Sequence, residues 1–404
     1  MEPKDITVEW LSEILETLVL SFDISPVDVA GFGSISVRLT VTLSDMSVRS
    51  LFAKFILPAA IRGPMSAPFQ HEVKFYNSVA SLTKSLGKMI PDCVFAGDSA
   101  IILKDEVVSS SGIVGDQFAG CSIERSVMVV ELLARMHSQF WKSELLATDE
   151  LQLMSIISLS QLGDSSHLSM ISEVLIKGMR AHRSILMPSL IDGTTSIVPN
   201  SIPVDAFDAL AIAAGRGIDL LFAASQRFNT MCHQDVRLDN MIFCPKCGGE
   251  DVILLDWQRY SAGWNMLDVA QYIVFNIHAK NYDSSALHDI EIHLFRVYIE
   301  TLAKSRVVAD TECYTMDRAM ADYKLAIALL CVMDLPTWLE QEQKYSDIST
   351  SNNINHTYIE LFSSERMASL APLISSNLAA AYFRNGCSDL LDSLPICWDT
   401  SHNK

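Results

Sequence analysis

The sequence lacks the features that would place the protein in a membrane or send it across one. No uninterrupted apolar run reaches the roughly 20 residues of a transmembrane helix. The apolar run Leu325–Met333 is short and flanked by charged residues, which predicts a buried helix. The N-terminus carries Glu2, Lys4 and Asp5 instead of the basic and apolar segments of a secretory signal. We therefore expect no membrane span and a cytoplasmic location.

Positive charge is also scarce. The chain has 30 Lys and Arg against 48 Asp and Glu, a formal net charge of −18 at pH 7. A nucleic-acid-binding protein normally presents a basic face, so this balance argues against nucleic acid as a partner. An acidic surface would attract a cationic substrate, although solubility is the simpler explanation.

The nine cysteines do not have the spacing of a disulfide framework. In a cytosolic chain such cysteines are mostly free thiols. Cys244-Pro-Lys-Cys247 resembles one half of a zinc site, but a structural zinc takes four ligands and no second CxxC or His pair is present. We interpret the pair as part of a hairpin turn. Metal or disulfide chemistry between two molecules is the alternative.

Two motifs of other enzyme classes are missing. The chain contains no G-x-S-x-G nucleophile elbow and no H-E-x-x-H zinc helix. Nothing therefore supports a hydrolase or lyase on a different fold. Apolar residues, by contrast, are abundant, at 49% of 404 residues against 19% charged. This composition is enough for a large core, and the length predicts two or three domains or one bilobal unit.

The segment Met231–Gln258 carries the most recognisable chemistry. It contains His233-x-Asp235, then Asn240, and finally Asp256 after a second apolar run. The two apolar runs are joined by a turn with Pro and paired Gly, which predicts a β-hairpin. Because an antiparallel hairpin folds back on itself, its entrance and exit are neighbours. We therefore expect Asp235, Asn240 and Asp256 to converge.

These side chains suit magnesium-assisted phosphoryl transfer. Mg²⁺ usually binds one or two carboxylates together with substrate phosphates, so Asn240 and Asp256 are the predicted metal ligands. Asp235 is the predicted catalytic residue, which would orient a substrate hydroxyl and accept its proton. His233 is expected to shape the loop by hydrogen bonding. Asp and Asn in loops are often only turn formers, but their combination with a hairpin and Asp256-Trp-Gln favours the functional interpretation.

The residues His233, Asp235, Arg237–Asn240 and Asp256–Gln258 resemble the aminoglycoside-phosphotransferase-like and choline-kinase-like small-molecule kinases. The closest resemblance is to their ecdysteroid-kinase-like (CHK-kinase-like) branch. Members typically have His-Gly-Asp where this chain has Gln234 in the middle position. That difference removes a permissive glycine but no catalytic group.

The resemblance implies that the N-terminal part binds a nucleotide. Gly31 and Gly33, followed by Ser34, would bring backbone N–H groups close to phosphates, although a tight hairpin turn explains both glycines equally well. Asp105 stands where the chain of relatives crosses between lobes and contacts adenine, so it is a further predicted nucleotide-binding residue.

A lysine inside an apolar strand is the strongest signal in this part. Lys54 would hold the α- and β-phosphates and pair with Glu72 on the following helix, as in kinases. The alternatives are an edge-strand lysine that reaches out to water and an exposed helix carboxylate. The order of glycine-rich turn, strand lysine and helix glutamate is what the resemblance implies.

The resemblance therefore implies an α+β, bilobal, protein-kinase-like fold. A small antiparallel-sheet N-lobe would span residues 1–106, and a large, mainly helical C-lobe would span 107–404 and contain the catalytic loop 231–240. The implied activity is ATP-dependent transfer of the γ-phosphate to a hydroxyl of a small molecule, with ATP and Mg²⁺ as cofactors and no obligate protein partner evident; ATP and GTP are not distinguished. The alternative is a catalytically silent kinase-like protein that binds a nucleotide or metabolite. It is disfavoured because none of the expected site residues is missing.

Periodicity and turn residues give a coarse map of the elements. The predicted helices cover 7–20, a segment from Phe69, 122–141 and 204–228, and after the segment 267–273 further helices are predicted to run to about Phe383. The predicted strands cover 27–30, 37–43, 51–56, 94–96 and 100–103. Asp268 is expected to brace the catalytic core without binding a ligand, His137 is expected to be a core histidine, and the tail 385–404 shows no strong pattern.

Overall fold

The structure is a computed structural model. It describes residues 2–27, 34–57, 66–86, 88–148, 210, 212–213, 216–225, 227, 229–278, 281–282, 284–305, 314–332 and 365–394. The chain packs into two compact units. Unit 1 comprises Met1–Gly115 and Leu238–Tyr260, and unit 2 comprises Asp116–Arg237 and Ser261–Lys404. The predicted hairpin thus belongs to unit 1, although it follows the first segment of that unit by more than a hundred residues.

The secondary structure alternates between a strand-rich unit 1 and a helix-rich unit 2. In chain order the elements are α1 (Val8–Ile14), β1 (Val19–Pro26), β2 (Ser34–Leu43), β3 (Val48–Ile56), α2 (Ser66–Lys74), β4 (Cys93–Gly97), β5 (Ala100–Lys104), α3 (Glu106–Ser109), β6 (Ile113–Val114), α4 (Ile123–Phe140), α5 (Gly217–Ser225), β7 (Thr230–Cys232), β8 (Met241–Lys246), β9 (Gly249–Leu254), β10 (Ser261–Gly263), α6 (Asn265–Asn276), α7 (Ser284–Lys304), α8 (Glu365–Arg384) and α9 (Cys387–Ser393).

Unit 1 is built on a five-stranded sheet with the order β1-β2-β3-β5-β4, in which every neighbouring pair is antiparallel. Strand β2 alternates between fully buried and partly exposed residues, as a strand with one face on a core does. Its Leu39, Val41 and Leu43 share a core with Leu11 of α1. The predicted small antiparallel sheet is therefore confirmed.

The helix predicted over residues 7–20 is too long. Thr7 caps α1 by accepting a hydrogen bond from the backbone N–H of Trp10, and the helix ends at Ile14. Glu16 then adopts a φ of 50°, the left-handed conformation that ends many helices. Leu18 matched the helical spacing, but it precedes β1 and is 59% exposed. The strand predicted at 27–30 lies earlier in the chain, as β1, and residues 28–30 fall outside the described residues.

The hairpin of β8 and β9 joins β6 in a second, three-stranded sheet of unit 1. Gly248 in its turn and Gly249 at the start of β9 have φ values of 86° and 155°, which side-chain-bearing residues rarely adopt. At the end of the hairpin farthest from the turn, Met241 pairs with Leu254. The predicted hairpin is confirmed, and the turn contains Cys247, with Cys244 in the strand before it.

Unit 2 is mainly helical. Helix α4 packs against α7, and almost every residue of α6 is buried, so that α6 runs through the core of the unit. Glu291 of α7 is 1% exposed, and it accepts hydrogen bonds from Arg384 of α8 and from the Tyr323 hydroxyl. This buried carboxylate ties α7 and α8 to the helical stretch 316–332.

Most of the helices predicted for unit 2 are confirmed where the structure describes them. Helix α4 begins after Ser122, which caps it, and 325–332 is helical and buried as expected. The segment predicted as a helix over 204–228 is described mainly as α5, and 149–209 lies outside the described residues. In the part of the tail that the structure describes, up to residue 394, periodicity missed the helix α9. Among the residues that the structure describes, no helix combines the length and the apolarity that crossing a bilayer requires.

Two leucines on neighbouring strands test where the core of unit 1 lies. Leu39 of β2 is fully buried, whereas Leu20 of β1 is 48% exposed. We expect Leu39→Ala to lower the free energy of unfolding by about 2–5 kcal/mol because it removes buried methyl groups and leaves a cavity. The matched Leu20→Ala should change it by less than about 0.5 kcal/mol. Denaturant titrations check both, and equal losses would contradict this core.

Candidate functional site

The centre of the site in unit 1 is Lys54 of β3. Its ammonium donates hydrogen bonds to Glu72 Oε2 at 2.5 Å and to Asp256 Oδ1 at 2.6 Å. Strand β3 lies between β2 and β5, and Lys54 stands opposite Ser36 and Ile101. Lys54 is therefore not an edge-strand lysine. Glu72 is 2% exposed, so the alternative of an exposed helix carboxylate is also wrong.

The electrostatics of this group explain why the three charges occur together. Burial alone would lower the pKa of Lys54, but the carboxylates of Asp256 and Glu72 outweigh it and raise the pKa above its ordinary value. Burial raises the pKa of Glu72, and Lys54 opposes that shift. An isolated buried charge is expensive, whereas a paired and hydrogen-bonded one is tolerated. The ammonium accordingly remains charged in the interior of unit 1.

Asp256 reaches Lys54 because of where the hairpin ends. The backbone N–H of Leu255 donates to the carbonyl of Asn240 at 2.8 Å, so the first residue after β9 lies against the last residue before β8. Asn240, which is 7% exposed, and Asp256 therefore flank the same hairpin mouth, as predicted. Asp256 itself adopts a left-handed conformation, with φ 60° and ψ 63°. Backbone conformations of this kind are concentrated at functional sites.

Aromatic packing holds the turn after Asp256. The Trp257 indole stacks on Phe75 with ring centroids 4.2 Å apart and an interplanar angle of 5°, and its Nε1 donates to the Leu254 carbonyl. Tyr260 stacks on His71 at 4.2 Å. The Asp256 Oδ2 accepts a hydrogen bond from Gln258 Nε2 at 3.2 Å. The turn is thus fixed against α2 and the helical segment after it, and α2 also carries Glu72.

The remaining predicted nucleotide residues of unit 1 have different surroundings. Ser34 begins β2 and is buried, and its Oγ has no hydrogen-bond partner within the described part of the chain. A buried hydroxyl without a partner suits a site that a phosphate fills. Gly31 and Gly33 lie outside the described residues.

Asp105 stabilises the start of α3 in unit 1. Its carboxylate accepts hydrogen bonds from Arg38 Nε at 2.5 Å and Ser50 Oγ at 2.8 Å, and from the backbone N–H groups of Val107 and Val108 at the start of α3. Asp105 is thus the N-cap of α3. These partners could not be anticipated from the local sequence. Its assignment as a nucleotide-binding residue stays a prediction.

The part of the predicted catalytic loop that belongs to unit 2 is held by hydrogen bonds to its backbone. Asp268 of α6 accepts from the N–H groups of His233 and Gln234 at 2.7 and 2.9 Å. The Val236 N–H donates to Gln271 Oε1 at 2.8 Å, and the Val236 carbonyl accepts from Asn276 Nδ2 at 3.0 Å. Asp268 therefore braces the loop, as expected. Gln271 and Asn276 share this task, and no sequence signal identified them.

Asp235 lies in this loop and is 6% exposed. Its backbone N–H donates to His233 Nδ1 at 3.2 Å, which agrees with the loop-shaping role expected of His233. Its carboxylate is paired with Arg237, whose Nε lies 2.7 Å from Oδ1 and whose Nη2 lies 3.1 Å from Oδ2. A bidentate pair of this geometry is among the stronger hydrogen-bonded ion pairs.

Gln234 replaces the glycine that relatives have in this loop, and it shows why a glycine suits the position. Its φ is 61°, a left-handed conformation that side-chain-bearing residues rarely adopt. The amide Nε2 donates to the Ser261 hydroxyl, a contact that a glycine could not make. The loop conformation is thus kept without the glycine.

A buried group behind the loop has the composition of a metal site. Ligand atoms of His137, Cys232 and Asp268 lie within 4.8 Å of one another. Both His137 nitrogens are engaged, by the Tyr298 hydroxyl at 2.7 Å and by Asp268 at 3.3 Å. Asp268 also holds the loop backbone. We therefore interpret the group as the support of the loop, in agreement with the expected core role of His137.

The comparison with protein families identifies the class of protein. The model of the ecdysteroid kinase-like family matches residues 29–307, and the chain belongs to this family. This confirms the resemblance seen in the sequence. The family match agrees with the bilobal, kinase-like α+β fold that was expected from the sequence. It indicates the fold of a small-molecule kinase. The comparison with curated proteins returned no match.

Solved structures include several distant likenesses. Amicoumacin kinase hAmiN in complex with AMP-PNP, Ca²⁺ and Ami is 11% identical, with a TM-score of 0.49 and coverage of 98% of this chain and 96% of that one. Macrolide 2'-phosphotransferase MphH from Brachybacterium faecium is 10% identical, with a TM-score of 0.42 and coverage of 91% and 98%. Aminoglycoside phosphotransferase APH(3'')-Id from Streptomyces rimosus is 17% identical, with a TM-score of 0.40 and coverage of 76% and 92%. The assignment to the ecdysteroid kinase-like family rests on the family match and not on these structures.

A double-mutant cycle tests the buried ion group. Lys54→Met leaves Glu72 buried without its cation, so we expect the free energy of unfolding to fall by about 3 kcal/mol. Adding Glu72→Gln removes the stranded charge and should restore part of that loss. Urea unfolding of the two single variants and the double variant measures the coupling. Strictly additive effects would contradict a direct interaction.

The surroundings of His71 predict a pH-dependent stability of unit 1. Its Nδ1 lies 3.0 Å from the Gln258 carbonyl, which can only accept, so Nδ1 carries the hydrogen. Its Nε2 is buried and has no partner among the described residues. Burial lowers the pKa of His71 below its ordinary value of 6.5, and Lys74 lowers it further, although the Gln258 carbonyl opposes the shift. The folded chain therefore binds this proton less readily than the unfolded chain.

The sign of the pH effect follows from this difference. Below the unfolded pKa of about 6.5, the unfolded chain takes up a proton at His71 that the folded chain resists, so stability falls as the pH falls. His71→Asn keeps a donor for the Gln258 carbonyl but does not titrate. We expect it to lose less stability than wild type between about pH 7.5 and about pH 5.5. His293→Asn, at an exposed position of α7, is the control, and equal pH dependence of H71N and wild type would refute the assignment.

Proposed function

We propose that the protein is an ATP-dependent kinase that phosphorylates a hydroxyl of a small molecule. The observation that carries this proposal is the buried Lys54 between Glu72 and Asp256, in a chain of the ecdysteroid kinase-like family. A phosphoryl-transfer site needs a fixed cation for the phosphates and carboxylate or amide oxygens for a metal. Lys54, Asn240 and Asp256 would supply them, and all three lie in unit 1.

The residues of unit 1 would bind the nucleotide. Lys54 would hold the phosphates while Glu72 fixes its position, and Ser34 would donate its buried hydroxyl. Asn240 and Asp256 have the oxygen donors that Mg²⁺ prefers, and the bound metal would neutralise negative charge on the phosphates. Asp256 uses one oxygen for Lys54 and the other for Gln258, but each carboxylate oxygen can accept a second partner.

Asp235 would act on the acceptor. It would accept a hydrogen bond from the attacking hydroxyl, orient its oxygen and take up its proton as the bond to phosphorus forms. The loop backbone is held at four points by α6, so the position of the Asp235 backbone is defined before a substrate binds. Preorganisation of this kind is the main protein contribution in phosphoryl transfer.

The alternative is a silent kinase-like protein that binds a nucleotide or metabolite. The acidic composition and the family match fit both functions. The presence of Lys54, Glu72, Asp235, Asn240 and Asp256 in one chain favours the enzyme. The resemblance does not distinguish ATP from GTP, so both nucleotides belong in the test.

Thermal shift with and without nucleotide tests the proposal. A ligand at about 100 times its Kd stabilises the folded state by about 2.7 kcal/mol, which raises the Tm by several degrees. We expect Mg²⁺ with ATP to produce this shift in wild type and to lose most of it in Asp256→Asn. Asp251→Asn, which alters a carboxylate in the same hairpin, should keep the shift. If ATP, GTP and ADP all fail to shift wild type in the presence of Mg²⁺, the kinase mechanism is wrong.

A further inference from the structure

The ion pair between Asp235 and Arg237 has a geometry that a loop support does not need. The guanidinium engages both carboxylate oxygens, through Nε at 2.7 Å and Nη2 at 3.1 Å. Both side chains are largely buried, with 12% of Arg237 and 8% of Asp235 exposed. A buried arginine therefore lies on the carboxylate that is proposed to accept the acceptor's proton.

The backbone of the loop does not depend on this pair. Asp268, Gln271 and Asn276 hold it through hydrogen bonds to residues 233, 234 and 236. The Arg237 side chain can therefore change its hydrogen-bond partner while the loop keeps its shape. What the pair does determine is the direction and the charge environment of the Asp235 carboxylate.

In the proposed reaction, the transferred phosphoryl group is a second anion that approaches the hydroxyl on Asp235. If Asp235 orients the attacking hydroxyl, the transferred phosphoryl group must approach that hydroxyl to about 3–3.5 Å. The guanidinium is within hydrogen-bond distance of the Asp235 carboxylate, so with the hydroxyl on that carboxylate it would be a neighbour of the phosphoryl oxygens. A guanidinium matches phosphate geometry with two parallel N–H groups, and a cation at this point stabilises the charge of the transition state.

We propose that Arg237 is a second catalytic residue of this loop, an inference that rests on the proposed kinase function. Without substrates, its guanidinium holds the Asp235 carboxylate. During transfer, at least one of its N–H groups moves to the phosphoryl group. The acceptor oxygen then forms a bond to the γ-phosphorus, the bond from that phosphorus to the bridging oxygen breaks, and ADP leaves with the electron pair. The acceptor's proton passes to Asp235.

A purely structural ion pair predicts something different. In that case Arg237 would contribute to stability alone, and no ligand that mimics the phosphoryl group would depend on it. Mg·ADP with aluminium fluoride supplies such a probe, because the fluoride complex occupies the place of the transferred phosphoryl group and needs no acceptor. The fluoride increment is the rise in Tm that it adds to the Mg·ADP shift.

The variants are Arg237→Met, which keeps the length without the charge, and Arg237→Lys, which keeps the charge without the planar fork. We expect wild type to show a fluoride increment, R237M to show the Mg·ADP shift without that increment, and R237K to show part of the increment.

An acceptor found by ADP release allows a kinetic test. The kcat of R237M should fall by about 10²–10³-fold with little change in KM for ATP. An equal increment in wild type and R237M would overturn the proposal, and so would a Mg·ADP shift without any increment in wild type.

Two further comparisons keep the test decisive. R237M leaves a buried carboxylate without its cation and can fail to fold, so Asp235→Asn is compared with the double variant D235N/R237M, in which that charge is absent. The increment should be present in D235N and missing in the double variant, and its survival there would overturn the role of Arg237. If wild type shows no Mg·ADP shift at all, the proposed kinase function itself fails, which is a distinct outcome.

Discussion

A lysine ammonium buried between two carboxylates is the contact on which the organisation of unit 1 depends. Lys54 lies 18 residues from Glu72 and 202 from Asp256 in sequence, yet all three side chains meet. Glu72 is buried and Lys54 is largely buried, and a charge in such a position is costly without a partner. The central strand β3, helix α2 and the hairpin of β8 and β9 must therefore all be in place together, which helps explain why the hairpin belongs to a unit formed mostly by the first 115 residues.

The predicted catalytic loop is stabilised in a different way. Its backbone is fixed by hydrogen bonds to the side chains of Asp268, Gln271 and Asn276 on α6. Asp268 replaces water as the acceptor for two consecutive N–H groups, which defines the left-handed turn at Gln234. A glycine would adopt that turn at less cost, and the hydrogen bond to Ser261 offsets part of the difference. In this loop the Asp235 carboxylate is paired with the Arg237 guanidinium.

The sequence predicted the parts of this account that depend on local patterns. The hairpin, the strand around Lys54 and the helix with Glu72 all follow from spacing, turn residues and one lysine in an apolar run. The end of α1 was wrong because Leu18 continues the helical spacing into an exposed position before β1. Partners from distant segments, such as Arg38 for Asp105, Gln258 for His71 and Gln271 for the loop, leave no local signal, since they are neighbours only after folding.

The central claim is that the chain transfers phosphate to a hydroxyl, and ³¹P NMR tests it most directly. Wild type and Asp235→Asn would be incubated with Mg²⁺, ATP and pools of hydroxyl-bearing antibiotics, sugars, amino alcohols and steroid-like alcohols. The account predicts that wild type converts the γ-phosphate signal into ADP and a new phosphate monoester, and that D235N forms the ester far more slowly while remaining folded. An ester formed equally fast by D235N would contradict the role of Asp235. No ester from any pool, with ATP bound and intact, would favour the silent nucleotide-binding protein.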